Sequence, residues 1–113
     1  MDVKFSIITP SFNQGEYIED AIKSVQNQSN VKIEHIIIDG GSTDKTLSIL
    51  KNYKNLTWIS EKDRGQTHAL NKGLKLATGN IIGWLNADDF YENNVFEKIF
   101  KNIKKKEIDI VYG

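Results

Sequence analysis

The chain has 113 residues, with 15 lysines and arginines balanced by 15 aspartates and glutamates, and it contains no cysteine. The zero formal charge gives no support for binding to nucleic acid or to a membrane surface, and the lack of cysteine excludes disulfides and thiolate metal sites. We expect a single domain spanning residues 1–113, cytoplasmic, with no signal peptide and no membrane span.

Short apolar runs alternate along the chain with segments in which apolar residues recur at helical spacing. The predicted strands cover residues 5–9, 33–38, 56–60, 81–85 and 108–112, and the predicted helices cover residues 16–25, 45–53, 66–77 and 95–105. Pro10, the only proline, is expected to stop the first strand. This alternation is typical of βαβ units, so we predict an α/β fold with a mainly parallel sheet flanked by helices.

Two of the predicted helices carry local signals. Ser42, Thr43 and Asp44 precede the second helix and are expected to cap it. Gly73 lies among alanines on the inner face of the third helix. Because the side chains on that face are small, we expect this helix to lie close against the sheet.

Polar side chains follow three of the predicted strands: Thr9 and Ser11 the first, Asp39 the second, and Asn86, Asp88 and Asp89 the fourth. In an open α/β sheet such strand ends line one crevice, where ligands bind. Two adjacent carboxylates repel each other unless a proton or a cation lies between them. Hard oxygen ligands of this kind suit Mg²⁺ or Mn²⁺, with a phosphate-bearing substrate completing the coordination.

A structural role for the two adjacent acids is the alternative. Aspartate is a common N-cap, and a helical pattern begins soon after Asp89, so the pair would then cap the fourth helix. The chain has neither G-x-G-x-x-G nor G-x-x-x-x-G-K-[ST], which argues against a dinucleotide cofactor and against a P-loop NTPase.

Four segments, in order, carry a resemblance to a known family: TPSFN at 9–13, IDGGSTD at 38–44, SEKDRG at 60–65 and NADD at 86–89. Together they resemble the nucleotide-binding half of family 2 glycosyltransferases, over roughly residues 5–113. The resemblance implies a Rossmann-like, GT-A-type three-layer sandwich. It also implies nucleotide contacts for Thr9, Pro10, Ser11, Asp39, Asp63, Arg64, Asn86, Ala87 and Asp88, and metal ligation by Asp88 and Asp89.

Within the family pattern, Thr9 and Asp39 would hold the base, with Asp39 accepting from a ring N–H. Asp63 and Arg64 would lie near the base and pyrophosphate. Residues 86–88 fall on the D-x-D motif, whose acids touch the ribose and hold a divalent metal, Mn²⁺ or Mg²⁺, on the diphosphate. Asn86 stands where the motif has its first acid, and an amide can bond a ribose hydroxyl but contributes no charge.

The implied activity is inverting transfer from a UDP-sugar or other NDP-sugar donor to a glycan or lipid-linked acceptor, as in bacterial polysaccharide biosynthesis. Family members carry a second half that binds the acceptor and supplies a carboxylate general base. No counterpart follows Gly113, so we expect this chain to bind the donor but to transfer poorly. The sheet edge after Tyr112 is expected to be prone to pairing with another chain, as in a homo-oligomer.

Two other functions remain alternatives. A non-catalytic nucleotide-binding or receiver-like signalling module would have acids at the end of its first strand, whereas here that strand ends at residues 9–11 (TPS). A nucleotidyltransferase would need a glycine-rich, basic first loop for a triphosphate, and residues 10–15 contain no lysine or arginine.

Overall fold

The computed structural model describes residues 3–62, 65–103 and 110–112. Strands and helices alternate in the order β1 (Lys4–Ser11), α1 (Ile18–Gln26), β2 (Lys32–Asp39), α2 (Thr46–Lys51), β3 (Leu56–Ser60), α3 (Gln66–Leu76), β4 (Ile81–Trp84), α4 (Val95–Ile103) and β5 (Ile110–Tyr112). Each predicted strand and helix is present, and the main differences lie at the element ends. None of the helices in the described part of the chain is long and apolar enough to cross a membrane.

The strands form one parallel sheet in the order β3-β2-β1-β4-β5, so the prediction of a parallel α/β sheet is confirmed. β1 is central, with β2 on one side and β4 on the other. Along the chain, β2 and β3 are added on one side of β1, and β4 then lies on its other side. A reversal of this kind opens a crevice at the carboxyl ends of the two strands that flank it, here β1 and β4.

β1 is longer than predicted, because it continues through Pro10 to Ser11. A proline in a central strand normally leaves one hydrogen bond of the ladder unmade. Here the carbonyl of Ile8 accepts from the N–H of Leu85 at 3.0 Å, so the backbone of Ile8, and of Pro10 two residues later, faces β4. The pairing of β1 with β4 ends at Ile8, so no strand lies opposite the nitrogen of Pro10. The prediction that Pro10 ends the strand is therefore wrong.

The two faces of the sheet bury different apolar clusters. On one face, Phe5 and Ile7 pack with α1 residues and with Phe96 of α4. On the other face, Ile8 of β1 packs with Ile36 and Ile38 of β2 and with Ala69 of α3. Neighbouring residues of β1 thus serve opposite faces, as the two-residue period of a strand requires. The result is a three-layer arrangement in which β1 and β2 are covered on both sides.

α3 lies very close to β1, as the small side chains on its inner face predict. A Cβ atom added at Gly73 would lie 2.5 Å from Cγ2 of Ile8. The helix therefore sits at a distance from the sheet that only glycine permits at this position.

His35 is a buried histidine on β2, only 3% exposed. Its Nε2 lies 2.6 Å from the hydroxyl oxygen of Thr9, and its Nδ1 has no hydrogen-bond partner among the described residues. Burial lowers the pKa of His35 from 6.5 to about 3. The ring is therefore neutral in the folded chain over the physiological range.

This burial predicts a pH-dependent stability. Below pH 6.5 the unfolded chain binds a proton at His35, whereas the folded chain binds it only near pH 3. The contribution of His35 to the stability is therefore fully present above pH 6.5 and is lost as the pH falls towards 3. One proton corresponds to a loss of at most about 1.4 kcal/mol per pH unit. Urea unfolding of wild type and His35→Gln at pH 7, 6, 5 and 4 should show a shallower pH dependence in the variant. His68→Gln is the matched control, and equal slopes for His35→Gln and wild type would contradict the prediction.

Candidate functional site

A cleft of about 460 Å³ lies at the carboxyl edge of the sheet, where the strand order reverses. It is lined by Pro10, Ser11, Phe12, Gln14, Gly65, Ala69, Asn86, Ala87 and Asp88. The structure therefore brings together five of the predicted site residues, although they are far apart in sequence: Pro10, Ser11, Asn86, Ala87 and Asp88. The remaining lining comes from the loop after β1 and from the start of α3.

A second cavity of about 580 Å³ is lined by Phe12, Gly40, Gly41, Lys62 and Gly65. Phe12 and Gly65 line both cavities, so the two form adjacent parts of one site. Phe12 is 56% exposed although it is a large apolar side chain. Phe12 lies within the TPSFN segment at 9–13, but the resemblance implied no role for its ring. An aromatic residue inside a polar, turn-forming loop is the signal that could have identified it.

Ser11 and Thr9 lie near the end of β1, but their side chains have different surroundings. The hydroxyl oxygen of Ser11 is buried at the cleft and has no hydrogen-bond partner among the described residues. A buried hydroxyl without a partner carries a desolvation cost that a bound ligand could relieve. Thr9 is fully buried, and its hydroxyl lies against His35. Thr9 is therefore not part of the cleft wall.

Asp39 is fully buried at the end of β2. Its Oδ2 accepts from the N–H of Gly41 at 3.1 Å, the N–H of Ser42 at 2.7 Å and the hydroxyl of Ser60 at 2.8 Å. Its Oδ1 accepts from the hydroxyl of Ser42 at 2.5 Å. Each carboxylate oxygen offers about two acceptor positions, so the three bonds fill Oδ2 while Oδ1 keeps one position. Asp39 holds the main chain of Gly41, which lines the second cavity.

The N-cap of α2 is Lys45, which has no side-chain cap hydrogen bond, so the prediction that residues 42–44 cap this helix is wrong. The residue before the cap, Asp44, still binds the first turn. Its Oδ1 accepts from the N–H of Thr46 at 2.9 Å and from the Thr46 hydroxyl. The hydrogen bonds from Thr46 and from the N–H of Gly15 keep the pKa of Asp44 below its usual value. Ser42 and Thr43 make other contacts. The hydroxyl of Ser42 donates to Asp39, and the N–H of Thr43 donates to the side chain of Asn13.

The acidic segment after β4 forms a turn in which the N–H of Asp89 donates to the carbonyl of Asn86 at 3.0 Å. The side-chain oxygen of Asn86 accepts from the indole N–H of Trp84 at 3.1 Å, and Asp89 Oδ1 accepts from the N–H of Phe90 at 2.8 Å. Asp88 is exposed and makes no hydrogen bond or ion pair with another described residue.

The alternative role of the acids as a helix cap is wrong. α4 begins at Val95, beyond the reach of Asp88 and Asp89, and the carbonyl of Asn94 accepts the first helical hydrogen bond, from Lys98. The acids therefore occupy a loop of their own at the cleft. The predicted contacts Asp63 and Arg64 lie outside the described residues.

The acids at the cleft offer few ligands to a divalent metal on their own. Within residues 3–62, 65–103 and 110–112, no group of three His, Cys, Asp or Glu side chains could hold a metal ion by itself. Mg²⁺ is usually bound by one or two carboxylates together with substrate phosphates and waters. Asp88 has both oxygens free of described partners and Asp89 has one, so the pair fits an ion shared with a bound diphosphate.

Comparison with known proteins identifies the family and the fold. Residues 6–113 match the sequence profile of the family described as Glycosyl transferase family 2. TuaG of Bacillus subtilis (strain 168), a glycosyltransferase linked by its name to teichuronic acid biosynthesis, is 39% identical over an alignment of 98 residues that covers 82% of this chain. The chain spans only 39% of that relative's length.

Two solved structures share the architecture. S. aureus TarS (residues 1–349) in complex with UDP-GlcNAc superposes with a TM-score of 0.81 at 27% identity, over 90% of this chain and 31% of that one. The mannosyltransferase PcManGT from Pyrobaculum calidifontis, in complex with GDP-Man and Mn²⁺, gives a TM-score of 0.76 at 29% identity, over 83% of this chain and 30% of that one. The expected GT-A-type fold is thereby confirmed. With this fold and a match along nearly its whole length, the chain belongs to glycosyl transferase family 2.

Proposed function

We propose that this chain forms the nucleotide-sugar donor site of an inverting glycosyltransferase that acts in polysaccharide biosynthesis. The observation that carries the proposal is the cleft between the ends of β1 and β4. It gathers the unpartnered hydroxyl of Ser11, the amide of Asn86 and the free carboxylate of Asp88 beside the exposed ring of Phe12. The relatives that bind UDP-GlcNAc and GDP-Man support a nucleoside diphosphate sugar as the ligand.

The two cavities suggest how the donor is arranged. The base would lie in the second cavity, against the ring of Phe12 and near Gly40 and Gly41, whose small size lets the main chain approach a flat ring closely. The ribose and diphosphate would then extend into the cleft. There Asn86 can bond a ribose hydroxyl, and Asp88, with Asp89, can hold Mg²⁺ or Mn²⁺ together with the diphosphate.

In the reaction that we propose, an acceptor hydroxyl attacks the anomeric carbon of the donor. The bond from that carbon to the diphosphate breaks on the opposite face, which inverts the configuration. The divalent ion would neutralise charge on the departing nucleoside diphosphate. The residues of this chain bind and orient the donor. Among the described residues, Asp88 is the only acid that lines the cleft, and we assign it to the donor.

The base that deprotonates the acceptor therefore has no candidate among these cleft residues. We infer that the 113-residue chain binds the donor but transfers sugar poorly on its own. Robust transfer from UDP-GlcNAc to any defined glycan acceptor by the purified chain would contradict this part of the proposal.

Calorimetric titration of UDP into the purified chain, with and without Mn²⁺, tests the donor site itself. We expect saturable binding that Mn²⁺ strengthens. GDP, ADP and CDP, titrated under the same conditions, identify the preferred base. If none of these nucleotides binds in the presence or absence of Mn²⁺, the proposed function is wrong.

Phe12→Ala tests the base subsite. The loss of one stack between a base and an aromatic ring costs about 1–3 kcal/mol, which corresponds to about 5- to 150-fold in affinity. We expect the dissociation constant for UDP, measured by calorimetry, to rise within this range. Phe90→Ala is the matched control, because Phe90 is similarly exposed at 61% but lines a separate groove beside α1. Equal UDP affinity for wild type and Phe12→Ala would exclude the ring as the stacking surface.

A further inference from the structure

Side-chain hydrogen bonds join two loops at the carboxyl edge of the sheet. The first loop comprises residues 12–15, after β1, and the second loop comprises residues 40–44, after β2. Asn13 Oδ1 accepts from the N–H of Thr43 at 2.8 Å and from the N–H of Asp44 at 3.3 Å. In the other direction, Asp44 Oδ2 accepts from the N–H of Gly15 at 3.0 Å. Each loop therefore supplies both donors and acceptors to the other.

Ser42 is the centre of this connection and is only 8% exposed. Its hydroxyl donates to Asp39 Oδ1 at 2.5 Å and accepts from the N–H of Asn13 at 2.8 Å. The buried carboxylate of Asp39 is thus linked through one hydroxyl to the backbone of the first loop. Hydrogen bonds in such a chain polarise and strengthen one another, the more so away from water.

These bonds stabilise the residue that follows Phe12. Asn13 has a φ angle of 50°, in the left-handed region that few residues other than glycine and asparagine adopt readily. Its side chain and its N–H are both bound by the second loop. The backbone on one side of Phe12 is therefore fixed, while its ring remains exposed at both cavities.

We propose that Ser42 and Asn13 are positioning residues that fix the ring of Phe12 as the stacking surface for the nucleotide base. Asp39 supports this arrangement through the Ser42 hydroxyl and through the N–H of Gly41. This inference rests on the proposed function, because it assigns a purpose to the two loops only if a nucleotide binds beside Phe12.

Ser42→Ala tests the role of the Ser42 hydroxyl. If Ser42 positions Phe12, affinity falls. We expect about a 2- to 10-fold loss, the range for a single neutral hydrogen bond.

The experiment is a double-mutant cycle of Ser42→Ala and Phe12→Ala, with UDP affinity measured by calorimetry in the presence of Mn²⁺. If Ser42 acts through Phe12, Ser42→Ala weakens binding in the wild-type background but has little effect once the ring is absent. Asn13→Gly is the second variant, since glycine keeps the backbone conformation and removes the side-chain acceptor. The matched controls are Ser48→Ala, on the exposed face of α2, and Asn30→Gly, at another asparagine with positive φ.

Amide hydrogen exchange of the free proteins gives a readout of the connection itself. Protection at Asn13 should fall in Ser42→Ala, and protection at Thr43 and Asp44 should fall in Asn13→Gly. If wild type binds UDP, two results would make the inference wrong while the proposed function stands. In the first, Ser42→Ala binds UDP as tightly as wild type. In the second, Ser42→Ala weakens UDP binding as much in the Phe12→Ala background as in the wild-type background. If wild type binds no nucleotide, both are wrong.

Discussion

Replacing Asp88 with asparagine is expected to remove most of the strengthening of UDP binding by Mn²⁺. Asparagine keeps the size of the side chain but lacks the charge that attracts a divalent ion. Even residues that only support a metal ligand typically contribute about 10- to 100-fold to metal affinity, so loss of a ligand itself should cost at least about tenfold. The quantity to measure is the ratio of the UDP dissociation constants without and with Mn²⁺.

Asp89→Asn should have a smaller effect on this ratio, because one of its oxygens already accepts from the N–H of Phe90. Asp20→Asn, an exposed acid on α1, serves as the matched control for a change of one charge. If Mn²⁺ strengthens UDP binding equally in wild type and Asp88→Asn, Asp88 does not ligate the metal. If Asp88→Asn binds UDP more weakly than wild type in the absence of metal, Asp88 contacts the nucleotide directly.

Gly73→Ala is expected to destabilise the fold, although the same change in a free helix is favourable. In a helix interior, alanine is better than glycine by about 1 kcal/mol. At this position the new Cβ would lie 2.5 Å from Cγ2 of Ile8 and 2.9 Å from its Cγ1 and Cδ1, so α3 or β1 has to move. Overpacking of this kind costs about 1–3 kcal/mol, and after the gain from alanine we expect a net loss of up to about 2 kcal/mol in urea unfolding.

A second double-mutant cycle assigns the cause of this loss. In an Ile8→Ala background the three close atoms are gone, so Gly73→Ala should then be neutral or stabilising. Asn71→Ala, on the exposed side of α3, reports the effect of alanine on the helix alone. An increase in stability for Gly73→Ala would show that α3 does not lie so close to the sheet.

The architecture could be predicted because each apolar run and each helical period is a local property of the sequence. The strands before Asn86 and near Asp39 both end within one residue of the predicted position, and the rule for parallel sheets then places these ends at one edge. The extension of β1 through Pro10 could not be predicted in the same way. It depends on where β4 stops pairing with β1, which is a matter of register between distant segments.

The environment of Asp39 shows the same limit. Two of its donor residues, Gly41 and Ser42, follow it closely along the chain, but Ser60 lies at the end of another strand. The sequence indicated an acid at a ligand-binding edge and did not reveal that this acid is fully buried and accepts hydrogen bonds from two separate segments of the chain. The exposure of Phe12 was likewise hidden, since an apolar residue in a sequence is first expected in the core.

The most direct test of the donor site is the mapping of UDP binding on the amide spectrum of the isotopically labelled chain in the presence of Mg²⁺. We expect saturable shifts to concentrate at residues 11–15, 40–42 and 86–89, around the two cavities. Shifts confined to the opposite edge of the sheet, at residues 31–34 and 78–81, would contradict this expectation, as would the absence of any saturable shift.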